Sequence, residues 1–87
     1  MVQRSVKVKN KLGLHARPSA LLVKAATKYR SEFFIEKEGT KVNGKSIMGV
    51  MMLAAERGSL LELSANGVDE QYLIDEVAEL IESGFGE

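Results

Sequence analysis

The sequence predicts an α+β fold of order β-α-β-β-α-β-α, an open-faced sandwich whose helices cover one face of a mostly antiparallel sheet. Three observations lead there. Short stretches alternate apolar and polar residues with period two, as in Val6-Lys7-Val8-Lys9 and Leu61-Glu62-Leu63. Between them lie segments whose apolar residues recur at helical spacing, most clearly Leu73, Ile74, Val77, Leu80 and Ile81. And Glu38-Gly39 separates two strand-like runs by two residues, the length of a tight hairpin turn.

The elements follow in order. Val6 and Val8 mark a first strand, and Lys11 to Leu14 a loop containing Gly13. A helix is expected from about Ala16 to Tyr29, with Pro18 in its first turn, where the missing N–H costs nothing. Ala20, Val23 and Ala26, with Leu22, are its expected buried face. Phe33 to Lys37 and Thr40 to Val42 are the hairpin strands. Ser46 stands as N-cap before a short helix whose apolar face is drawn by Ile47, Val50, Met51 and Ala54. Arg57-Gly58 breaks that pattern, and Leu61, Leu63 and Ala65 form a fourth strand. Asp69 is the expected N-cap of the last helix, with Gly84 at its left-handed C′ position and Phe85 folding back onto Leu80. The pattern leaves the strand order open.

With 87 residues the chain is expected to form a single domain over residues 1–87. Lys plus Arg and Asp plus Glu each number 12, so the formal net charge is zero, and the basic excess of a nucleic-acid binder is missing. There is no cysteine for disulfides or zinc, and one histidine does not make a metal site. No metal and no cofactor are expected. No apolar run approaches membrane-spanning length and no leader pattern opens the chain, so a cytoplasmic protein without membrane insertion is expected.

The segment that carries chemistry is Gly13-Leu14-His15-Ala16-Arg17-Pro18-Ser19-Ala20, which holds the only histidine and the only proline. His15 falls at the expected start of a helix, where backbone N–H groups lack partners and the helix dipole is positive. Such an end binds phosphate. Arg17 adds a planar, fixed positive charge. A nitrogen nucleophile, an anion cradle and an arginine thus fall within a few residues. Taken alone, each has a plainer explanation: an ordinary capping histidine, a solvated arginine, a helix-start proline. Ser46, likewise, needs no role beyond its cap.

Gly13 to Ala20 resembles the active-site signature of the HPr family of the bacterial sugar phosphotransferase system, position for position. A second stretch, Gly39 to Ala54, is similar to that family's regulatory serine signature, of the Gram-positive type, and the resemblance extends over the whole chain. It implies a phosphoryl carrier rather than an enzyme. His15 would take the phosphoryl group from enzyme I, on Nδ1, and donate it to the A-domains of sugar permeases. Arg17 and the backbone N–H of Ala16 would steady the phosphoryl oxygens. Ser46 would be phosphorylated by an ATP-dependent serine kinase, reversed by a phosphorylase, and linked to a catabolite-control repressor. Partner docking is expected to draw on Ala20, Ile47, Met48, Met51 and Met52, methionine being adaptable to varied partners. A monomer is expected, because each partner must reach His15. Three other readings compete: a regulatory protein that acts by binding alone, a hydrolase with a Ser46–His15 dyad, and a small RNA-binding domain. No oriented acid and no nucleophile-elbow motif support the second. The third lacks an aromatic-rich sheet signature.

Overall fold

A computed structural model describes residues 1–87. The strands are β1 (Val2–Lys7), β2 (Glu32–Lys37), β3 (Thr40–Asn43) and β4 (Leu60–Asn66); the helices are α1 (Ala16–Ala26), α2 (Ile47–Met52) and α3 (Glu70–Glu82), followed by a short 3-10 turn at Gly84–Gly86. The sheet has the order β1-β4-β2-β3, antiparallel throughout. The expected element order is therefore correct. The strand order, which periodicity could not supply, puts the last strand between the first and the second.

Alternation decides which face meets the helices. Val6, Phe33, Ile35, Leu61, Leu63 and Ala65 are buried on one side. They pack with Leu22, Val23 and Ala26 of α1 and with Leu73, Ile74, Val77, Ala78 and Ile81 of α3. The other face is open, and Ser5, Glu62, Glu36 and Lys41 stand in register across it. The β2–β3 turn is tight because Glu38 and Gly39 both take positive φ, 49° and 84°. Gly84 has φ 70° after the end of α3, and Phe85 is buried in the core, as the expected C-terminal cap requires.

Four local expectations need correction. Helix α1 ends at Ala26, not Tyr29, because Lys28 N–H and Tyr29 N–H bond three residues back, to Ala25 and Ala26, tightening the chain out of the helix. Its buried face holds Pro18, Ser19, Leu22, Val23, Ala25 and Ala26, whereas Ala20 is exposed. Ser19 can be buried because its hydroxyl donates to the Leu14 carbonyl at 3.0 Å. In α2 only Val50 is buried, with Leu53 just after it; Ile47 and Met51 are 44% and 43% exposed, and Ala54 lies past the helix. A helix of six residues turns too few side chains inward to bury all four apolar positions.

Asp69 occupies the N-cap position of α3, but its carboxylate does not cap the helix. It accepts from the backbone N–H groups of Arg30 and Ser31 and from the Ser31 hydroxyl, tying the start of α3 to the end of the α1–β2 loop. Glu70 instead reaches back to the Gly67 N–H. Val8 lies beyond β1, buried, and exchanges backbone bonds with Gly58 and Ser59.

Candidate functional site: the start of the first helix

His15 is the N-cap residue of α1, with extended backbone (φ −78°, ψ −170°). Its carbonyl takes the helix's first bond, from Ser19 N–H at 3.0 Å. Its side chain makes no capping bond, so the N–H groups of the first turn are left without an intrahelical or side-chain partner. The first turn holds no acidic residue, and Arg17 supplies a positive charge. This is an end of a helix prepared for an anion.

The loop before it is held from below. Gly13 has φ 69°, and a Cβ there would fall 2.3 Å from the Ala55 carbonyl oxygen, so only glycine fits. Leu14 N–H donates to that same carbonyl at 2.9 Å. Leu14 itself is buried. The His15 ring is thereby delivered at the surface, with its side chain 38% exposed.

The two ring nitrogens differ. Nε2 is buried and has no hydrogen-bond partner, with a Glu87 carboxylate oxygen at 3.7 Å; no such burial without a partner is found at Nδ1. The same Glu87 oxygen accepts from the Arg17 guanidinium at 3.0 Å. Glu87 thus links both residues singled out in the sequence. Sequence reasoning missed it, since a polar residue 70 positions from Arg17 leaves no local signal.

Ser46 is the N-cap of α2, its hydroxyl accepting from Gly49 N–H at 3.0 Å. It makes no hydrogen bond to His15, so the dyad that a Ser–His hydrolase needs is not formed. Beside Ser46, the Lys45 ammonium donates to the Tyr29 carbonyl at 2.7 Å. Met48 and Met52 are 76% and 75% exposed, and with Ile47 and Met51 they make α2 an apolar surface. The structure therefore places the docking candidates outward. Two surface concavities lie along α1 and α3, lined by residues such as Leu21, Lys28, Glu76 and Leu80, and neither holds His15 or Ser46. His15 is presented on a surface rather than in a pocket.

A family model described as "PTS HPr component phosphorylation site" matches residues 2–83. The chain belongs to the HPr family. Among curated relatives, the phosphocarrier protein HPr of Neisseria meningitidis serogroup A is 45% identical over all of this chain and 98% of its own. The HPr-like protein Crh of Bacillus subtilis is 48% identical, over 94% of this chain and 96% of its own. The crystal structure of HPr from Thermoanaerobacter tengcongensis is 49% identical, covers all of this chain and 98% of its own, and superposes with a TM-score of 0.97; a dimeric structure of that relative gives 0.80. HPr proteins are phosphocarriers of the phosphotransferase system, a relay role rather than an enzyme's.

Proposed function

We propose that this HPr-family chain carries a phosphoryl group on His15, accepting it from enzyme I and donating it to the A-domains of sugar permeases. The observation that carries the reading is the uncapped start of α1, with the part-exposed His15 ring at its N-cap and with Arg17 in the first turn. The Nδ1 lone pair attacks phosphorus as the bond to the donor's leaving group breaks. The departing group keeps that bond's electron pair. Nε2, buried toward Glu87, is turned away from the transfer. The first-turn N–H groups of Ala16 and Arg17 and the Arg17 guanidinium meet the phosphoryl oxygens. Glu87 now holds Arg17, and two anions repel, so an arriving phosphoryl group displaces that carboxylate from the guanidinium. The hold is modest, as a carrier requires, because tight binding of the intermediate would not speed its onward transfer.

The partner surface in this reading is Ala20 of α1 with Ile47, Met48, Met51 and Met52 of α2, all exposed. Ser46 is the site of an ATP-dependent kinase, with a phosphorylase and a catabolite-control repressor as its further partners. A phosphate at the N-terminus of α2 leaves that helix intact, because it too can accept from Gly49 N–H. It changes the charge of the docking surface instead, repelling acidic partners and attracting basic ones. The protein works as a single domain, a monomer, in the cytoplasm.

The test is the intact mass after incubation with phosphoenolpyruvate, Mg²⁺ and enzyme I. One phosphoryl group, acid-labile, base-stable and absent in His15→Ala, is the expected result. The chain is as similar to Crh as to HPr, which favours one second reading, regulation by binding alone. Failure of an active enzyme I from the same organism to phosphorylate the protein would put that reading in its place.

A further inference from the structure

Two buried side-chain polar atoms in the whole chain have no hydrogen-bond partner, and they are Nε2 of His15 and Oδ1 of Asn10. Asn10 is 4% exposed and lies at the root of the loop that delivers His15. It clasps Gly13 from both sides. The Asn10 carbonyl accepts from Gly13 N–H at 3.2 Å, and the Asn10 Nδ2 group donates to the Gly13 carbonyl at 2.5 Å. Gly13 is the residue pressed against the backbone of Ala55 and Glu56. Gly84, at the head of the turn that leads to Glu87, lies near Asn10 as well: a Cβ built there would fall 3.8 Å from the Asn10 main-chain nitrogen.

The buried Asn10 amide braces the loop through its bond to the Gly13 carbonyl. An apolar residue there would leave that carbonyl without its side-chain donor. The brace lies where the segment bearing His15 and Arg17 and the segment bearing Glu87 come near each other.

We propose that Asn10 is a positioning residue for phosphoryl transfer, setting the His15 ring and the Arg17–Glu87 pair in register through Gly13 and the Gly84–Gly86 turn. The proposal rests on the phosphocarrier reading for its kinetic consequence, and on the geometry alone for its effect on the ring.

The experiment compares wild type, Asn10→Ser, Asn10→Ala and a distant destabilising control, Asp69→Asn. Two quantities are read at a temperature where each protein is folded. The first is the rate of phosphoryl gain from enzyme I. The second is the pair of ¹⁵N chemical shifts of the His15 ring, which report its tautomer and surroundings in the unphosphorylated protein. Asn10→Ala is expected to lower the maximal rate about ten-fold with little change in the carrier's KM, since the docking residues are untouched. It is expected to move the ring shifts as well. Asn10→Ser keeps a hydroxyl donor and is expected to fall between. Asp69→Asn should lose stability with rate and ring shifts unchanged. Should Asn10→Ala not fold, Asn10→Ser against wild type decides by the same two readouts. Unmoved ring shifts in a folded Asn10 variant, or a wild-type rate, would overturn the proposal. A wild-type protein that takes no phosphoryl group would overturn the carrier reading instead, and the ring shifts would still judge Asn10.

Discussion

Ala54 has φ 49°, a left-handed conformation that an alanine adopts at a cost of about 1–2 kcal/mol. It follows α2 and precedes Ala55, whose carbonyl holds Leu14, so the strain lies one residue from the support of the His15 loop. Ala54→Gly removes the Cβ that causes it, offset by the greater freedom of an unfolded glycine, worth about 0.4–1 kcal/mol. A net stabilisation of about 0.5–1 kcal/mol is expected, a rise of a few degrees in Tm, measurable by urea and thermal unfolding. Asp69 makes a pH prediction. Its hydrogen bonds from the Ser31 hydroxyl, then from Arg30 N–H, hold its pKa down at about 2, from an ordinary 3.8. A depressed folded-state value means that the unfolded chain takes up the proton first. The Asp69 contribution is therefore complete above about pH 4 and is lost as pH falls toward 2. Glu70 and Glu76 are lowered too and act in the same sense. Urea midpoints between pH 2 and pH 6 should fall with acid, and Asp69→Asn should flatten that fall; an unchanged slope in the variant would contradict the assignment.

Helix α2 is too short, at six residues, to form by itself. It is held at both ends: the Ser46 hydroxyl takes the Gly49 N–H, and the Lys37 ammonium donates to the Leu53 carbonyl at 3.2 Å. Ser46→Ala should cost about 1 kcal/mol and speed amide exchange at Gly49 in particular, while Ser46→Asp, which can still accept that bond, should keep most of the stability. The cap was legible in the sequence, because serine before an apolar run is a local signal. The face of α2 was not. Ile47 and Met51 are spaced like core residues, yet they lie outward, and a pattern this short does not separate a core face from a docking face. In α1 the fault was different. Leu22, Val23 and Ala26 are buried as expected, but Ala20 is exposed, and Ser19 takes a buried position because its hydroxyl bonds the Leu14 carbonyl.

Across the molecule, the element order and the His15–Arg17 pair could be read from local pattern, whereas the order β1-β4-β2-β3 and the arrival of Glu87 could not. Both depend on contacts between residues far apart in the chain. Glu87→Gln should free Arg17 for another anion. The ion pair is exposed and worth about 0.2–1 kcal/mol, so inorganic phosphate should bind at the start of α1 up to about five-fold more tightly, as followed by chemical-shift titration of the Arg17 and Ala16 amides. Equal affinity would show that Glu87 does not compete there. The seam between residues 10–17 and residues 84–87 has one more consequence. A chain whose last turn has not yet docked carries the same histidine, but without Glu87 beside it and without Gly84 near Asn10. The histidine's surroundings are therefore an inspection stamp for the whole chain, complete only where folding has run to its end.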